Sequence, residues 1–281
     1  MRIDSHHHIW DLTVRDQSWI TGDAMAPIRR NFSMADFREA SSGTKVQKTV
    51  LVQTVTDYAE TPELLALAES DSMIAGVVGW LDIDSPNAMK HFDQYLELPG
   101  ANYLKSIRDI AQDHIDPNYL ARPQAIATVR ELGRRGFAYD LLTKTPELPG
   151  AIEMVKQSPN MQFIMDHISK PYISAGTLQP WEKLIRELAS YENVVCKVSG
   201  LVTEANWKSW KTWDFKPYFD ILLEAFTPKR LMFGSDWPVA TLAGSYKEVV
   251  KLAEELTVDL SESENLAFWS GTANHAYKLG L

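Results

Sequence analysis

Eight short runs of strand-forming residues, each followed by a stretch with helical spacing, constrain this chain more than any other feature. They are RIDSHHHI (2–9), VQKTVLVQT (46–54), IAGVVGWLD (74–82), LKSIRDI (104–110), FAYDLL (137–142), MQFIMDHI (161–168), NVVCKVSG (193–200) and RLMFGSDW (230–237). Parallel strands need a long crossover between them, and a helix usually supplies it. Eight such units in 281 residues predict the α/β class and a closed (β/α)8 TIM-like barrel, for which about 250 residues is typical, over an open doubly wound sheet. Residues 1–281 are expected to form one barrel domain.

The helical stretches carry start and stop signals. Ser33 is an expected N-cap before MADFREA, Thr61 an expected cap with Pro62 in the first turn, and Gly133 and Gly136 expected stops after RPQAIATVREL. The segments 11–32 and 168–180 are long for barrel connections, and loops after barrel strands are where substrates are gripped.

Composition excludes several function classes. The formal net charge of −9 leaves no basic stripe for a phosphate backbone, so no nucleic-acid partner is expected. No apolar run approaches the roughly 18 residues that span a bilayer, so no membrane partner is expected either. No G-x-G-x-x-G or G-x-x-x-x-G-K-[ST] follows a strand, which argues against a nucleotide cofactor. The lone cysteine, Cys196, excludes an intramolecular disulfide framework; with no leader-like segment, a cytoplasmic location is expected. Whether the chain forms a homo-oligomer is left open.

In a barrel, the residues delivered last by each strand face the site. The first strand gives His6 and His8, which share a face because successive residues alternate, while His7 points away. The others give Gln53, Trp80, Arg108, Asp140, His167, Lys197 and Asp236 with Trp237. A lone H-x-H is a weak signal. It gains weight from a histidine ending the sixth strand and an aspartate ending the eighth.

These residues stand in stretches that resemble the amidohydrolase superfamily, in particular its sugar-lactonase and pyrone-dicarboxylate lactonase group. The matching stretches are D-x-H-x-H-x-W (Asp4, His6, His8, Trp10), LVQT, GVVGWLDI, SIRD, FAYDLL, MDHISKP, CKVSGLVTEA and FGSDWPV. The resemblance implies an amidohydrolase-type barrel that opens a sugar-derived lactone, such as an L-fucono-, L-rhamnono- or galactono-lactone, to the free acid. Asp236 is then the base that activates water, with His6, His8 and His167 beside it. Gln53, Trp80, Arg108, Asp140, Lys197 and Trp237 are the expected substrate contacts. Asp109 stands where relatives commonly carry histidine.

A divalent ion on His6, His8 and Asp236 would lower the pKa of bound water from about 16 toward about 7 and polarise the carbonyl. Zinc and manganese both suit these ligands. The fourth and fifth strands lack the bridging and histidine ligands of two-metal relatives, so at most one metal is expected, and a metal-independent site is the alternative. Two other readings are a metal-dependent decarboxylase of the same superfamily and a non-catalytic sugar-binding barrel.

Overall fold

A computed structural model describes residues 1–281. The strands are β1 (Arg2–His7), β2 (Val46–Val52), β3 (Ile74–Gly79), β4 (Leu104–Ile110), β5 (Ala138–Leu142), β6 (Gln162–Met165), β7 (Val194–Val198) and β8 (Leu231–Phe233). They pair in parallel and in chain order. The sheet closes where His7 bridges Trp237 and the Asp236 N–H donates to the His6 carbonyl at 2.8 Å. The (β/α)8 barrel expected from the alternation is therefore the fold.

The connecting helices are α1 (Met34–Ser41), α2 (Glu60–Ser70), α3 (Ala88–Leu96), α4 (Pro123–Arg134), α5 (Leu148–Gln157), α6 (Trp181–Ala189), α7 (Leu201–Glu204), α8 (Thr212–Phe226) and α9 (Tyr246–Leu256). Ser33 caps α1 through a reciprocal box with Asp36. Thr61 does not cap α2, which starts one residue earlier. Its hydroxyl instead accepts the Trp80 N–H at 3.0 Å, tying α2 to the end of β3. Gly136 stops α4 with φ of 86°, where a side chain would be strained. Gly133 lies inside that helix, and a Cβ there would come within 2.8 Å of the Met161 sulfur.

Two apolar layers hold the barrel. A 64-residue cluster fills the space between strands and helices. A smaller one, including Ile3, Val50, Val78, Ile164, Val195 and Met232, fills the barrel interior. Ala273, Ala276 and Tyr277 close it from below, at the end of the chain where α10 (Glu262–Leu266) and α11 (Thr272–Ala276) flank a wider turn. Burying such side chains contributes about 1.5–3 kcal/mol each. The interior apolar layer stops partway up, and polar groups take over.

Candidate active site

The first strand is less regular than its sequence suggests. Strict alternation would place Asp4, His6 and His8 on one face, but a register shift lies between Asp4 and His7. Asp4 bonds toward the outer layer: it accepts the N–H groups of His6 (3.1 Å) and Ser235 (2.8 Å) and the Tyr246 hydroxyl (2.9 Å). It pins β1 to the segment after β8. Burial, partly offset by those donors, pushes its carboxyl up to about 6.

His6 and His8 converge, their Nε2 atoms 3.2 Å apart. The His8 Nδ1–H donates to the Val52 carbonyl at 2.8 Å, so the Nε2 facing His6 and Asp236 carries the lone pair. The expected strand ends are shorter in two places that matter. β6 stops at Met165, and His167, Ile168, Ser169 and Lys170 follow with φ of 51°, 49°, 54° and 44°. β8 stops at Phe233, and Asp236 has φ of 58°. Leaving the ladder lets both side chains swing over the barrel mouth.

The His167 ring bonds Ser199 Oγ at 2.9 Å and packs so close to Gly200 that a Cβ there would lie 2.7 Å from its Nδ1. Asp236 Oδ1 lies 3.4 Å from His8 Nε2 and 3.8 Å from both His6 Nε2 and His167 Nε2. Three imidazoles thus surround one carboxylate oxygen.

Beneath them lies a closed ionic floor. Lys197 Nζ donates to Asp140 at 2.6 Å and to the His6 Nδ1 at 3.1 Å, and stands 2.9 Å from Asp166. Asp140 also accepts the Ser106 and Tyr277 hydroxyls, each at 2.6 Å. Arg108 donates to Asp166 at 3.0 Å and to the Gln53 carbonyl at 2.6 Å. The Gln53 amide donates to the Arg108 carbonyl.

Burial and these charges set the protonation. The His167 ring is pushed down to about 4, chiefly by burial. Burial and the Lys197 cation hold His6 well below its ordinary value. Burial alone would raise Asp236, but His167, His8 and Lys170 outweigh it and leave the carboxyl below its usual range. For Asp166, Lys197, His6 and Arg108 likewise overcome burial. At neutral pH the site therefore holds neutral His6 and His167 rings against an ionised Asp236.

A cavity of about 160 Å³ opens above this cluster. His8, Arg108, His167 and Asp236 line it. The other expected contacts lie elsewhere. Asp140 and Lys197 are completely buried in the floor, and Gln53 is sealed beside Arg108. The Trp80 indole donates to Asp109 at 2.8 Å and packs on Tyr58. Asp109 also accepts the Tyr119 hydroxyl at 2.6 Å, so it braces Trp80 outside the cavity. Trp237 packs edge-on against Phe32 and Phe37 in the outer layer. Two causes separate them: Trp80 and Trp237 lie past the last ladder bond, where a chain no longer alternates, whereas Asp140 and Lys197 stay within their strands but sit too deep, sealed by ion pairs.

Other lining residues were not foreseen, among them Trp19, Gln112 and Lys170. Trp19 and Lys170 come from the two long segments singled out in the sequence, which was the available signal. Larger surface hollows of about 490 and 580 Å³ lie away from this cluster. Neither gathers histidines around a carboxylate.

Whether the donors fit a metal is testable by spacing. Tetrahedral zinc with ligands at about 2.0–2.1 Å has its ligand atoms about 3.4 Å apart. Separations of 3.2, 3.4 and 3.8 Å among His6, His8 and Asp236 lie near that spacing. The donor atoms of His6, His167 and Asp236 lie within 4.8 Å of one another, so a second trio, with His167 in the place of His8, also suits one ion. The same atoms also form a satisfied chain among themselves, Lys197 to His6 to His8 to the Val52 carbonyl.

Comparison with known proteins gives the family. The amidohydrolase family model matches residues 3–279, and the chain belongs to that family. An L-fucono-1,5-lactonase of Burkholderia multivorans is 34% identical over 290 residues, covering 99% of this chain and 96% of the relative. One from Burkholderia ambifaria is 32% identical, covering 87% and 83%. A crystal structure of an amidohydrolase from Burkholderia multivorans with bound zinc is 33% identical and superposes with a TM-score of 0.92 over 99% of each chain.

Proposed function

We propose that this protein is a sugar lactonase that opens an aldonolactone of the L-fucono-1,5-lactone kind to the free acid. The observation that carries the reading is the Asp236 oxygen at 3.4–3.8 Å from three imidazole Nε2 atoms, on the wall of a cavity small enough for a single-ring substrate. Relatives that share a third of their residues across nearly the whole chain and are L-fucono-1,5-lactonases support the substrate class.

The ionised Asp236 takes a proton from water held against the imidazoles. The water oxygen adds to the lactone carbonyl carbon, the carbonyl oxygen gains negative charge, and the ring C–O bond then breaks. The proton passes to the departing ring oxygen, giving a hydroxyl and a carboxylic acid that ionises in solvent. His6, His8 and His167 orient water and carbonyl, and the rigid floor keeps them in place. A single divalent ion held by Asp236 and His6 with His167 or His8 would supply Lewis-acid polarisation and a more acidic water. No nucleotide cofactor and no nucleic-acid or membrane partner enters this reading, and no helix is long and apolar enough to cross a membrane.

The test is proton release on a panel of 1,4- and 1,5-aldonolactones, with metal content measured on the purified protein and rates taken before and after chelation. Turnover of L-fucono-1,5-lactone or a close stereoisomer is expected. Carbon dioxide release from an aromatic acid with no lactone turnover would assign the site to a decarboxylase. Rates unchanged by complete metal removal would leave the imidazoles as hydrogen-bonding groups only.

A further inference from the structure

The site contains three cations, and two are already spoken for. Arg108 is held by Asp166 and the Gln53 carbonyl, and Lys197 by Asp140 and Asp166. Lys144, farther out, pairs with Asp113. Lys170 differs from all of them. It lines the cavity with His8, His167 and Asp236, and its ammonium enters no ion pair or side-chain hydrogen bond within the chain.

Its backbone points the same way. Lys170 ends a run of four residues with φ between 44° and 54°, none of them glycine. Each such residue costs of order 1 kcal/mol or more, and such strain persists where a site over-determines it. The Trp181 indole clamps the turn by donating to the Ile168 carbonyl at 2.7 Å, and Thr143 and Ser169 share a hydrogen bond at 2.8 Å. The turn is thus held in a costly shape that places His167 and Lys170 on one cavity wall. Lys170 is close enough for its charge to help depress the Asp236 carboxyl.

We propose that Lys170 is the substrate-binding cation of this site, its ammonium meeting the oxygen that becomes negative as the lactone opens and then the carboxylate of the acid. The proposal rests on the lactonase reading and adds to it a named charge for an anionic product. An uncommitted ammonium on a partly desolvated wall needs no reorganisation to meet developing charge, which makes it effective there.

Lys170→Met, Lys170→Arg and Lys170→Gly test it. On L-fucono-1,5-lactone, Lys170→Met should lower kcat/KM by about 10²-fold, the usual loss on removing one preorganised donor. Lys170→Arg should recover at least a tenth of the parent rate. Lys170→Gly should lose activity as Lys170→Met does while melting no lower than the parent, because glycine accepts the left-handed φ; a purely structural lysine would show the reverse. Calorimetry supplies a second readout. L-fuconate should bind Lys170→Met at least tenfold more weakly than it binds the parent, with the uncharged L-fucitol shifted by less than threefold. A Lys170→Met rate within threefold of the parent, equal weakening of fuconate and fucitol, or no fuconate binding by the parent overturns the proposal. If the parent opens no lactone, the lactonase reading fails, and the fuconate-to-fucitol contrast still decides Lys170.

Discussion

The floor and the mouth of the barrel use the same residue types to opposite ends. In the floor, Asp140, Lys197, Asp166 and Arg108 neutralise one another in a buried ion-pair network that the Ser106 and Tyr277 hydroxyls extend, with Arg108 at its upper edge on the cavity wall. At the mouth, Asp236 faces imidazoles across 3.4–3.8 Å gaps and Lys170 faces open cavity. A buried charge neutralised by close ion pairs is scaffold, whereas one without such a pair is available to a substrate. This difference separates residues that hold the site from residues that act in it.

The sharpest way to break the comparison is at Asp236. Asp236→Asn should keep the fold and lower kcat by about 10³-fold, about 4 kcal/mol of transition-state stabilisation. Proton-release kinetics with a matching melting curve would check it; a loss under tenfold would move the base to another residue.

Lys197→Met attacks the floor instead. It removes the cation that pairs with the buried Asp140 and leaves Asp166 with Arg108 alone, and urea unfolding should report a loss of about 3–5 kcal/mol. A stable, inactive Lys197→Met protein would place this lysine among the acting residues.

Gly200→Ala probes the seam between the two regions. Its Cβ would meet the His167 ring at 2.7 Å, at a φ of 63°, so a loss of about 1–3 kcal/mol in stability is expected. Turnover should fall with it, and unchanged kinetics would show that the ring position is not critical.

His7, on the outer face of β1, has the smallest expected effect on turnover. It packs on Phe37 with neither ring nitrogen bonded, and burial pushes it down to about 3. Between pH 6.5 and 3 the unfolded chain binds a proton that the folded one excludes. Stability from this group is therefore complete above pH 6.5 and falls on acidification by up to about 1.4 kcal/mol per pH unit. His7→Leu should remove that component, making unfolding free energy against pH shallower between pH 6 and 4 with turnover little changed. An unaltered slope would contradict the burial of a neutral imidazole.

Much of this was legible before the structure. The alternation of strands and helices predicts the barrel, and HHH, MDHI and FGSDW mark the strand ends that carry His6, His8, His167 and Asp236. Less legible were the residues just past those ends. Trp80 and Trp237 follow their strands by one and four residues, where alternation no longer governs direction. Asp4 reads as part of the H-x-H face until the register shift in β1 turns it outward.

Local patterning by itself determined the fold class, the helix boundaries near Ser33 and Gly136, and the set of imidazoles at the mouth. Periods of two and of 3.6 residues are written in neighbouring positions. Which charges are spent and which remain free was decided only in three dimensions. Lys197 meets His6 from 191 positions away and Asp140 from 57, and no short-range rule distinguishes it from Lys170. Closure of the barrel brings these partners together, and the low dielectric beneath the mouth makes their pairing complete.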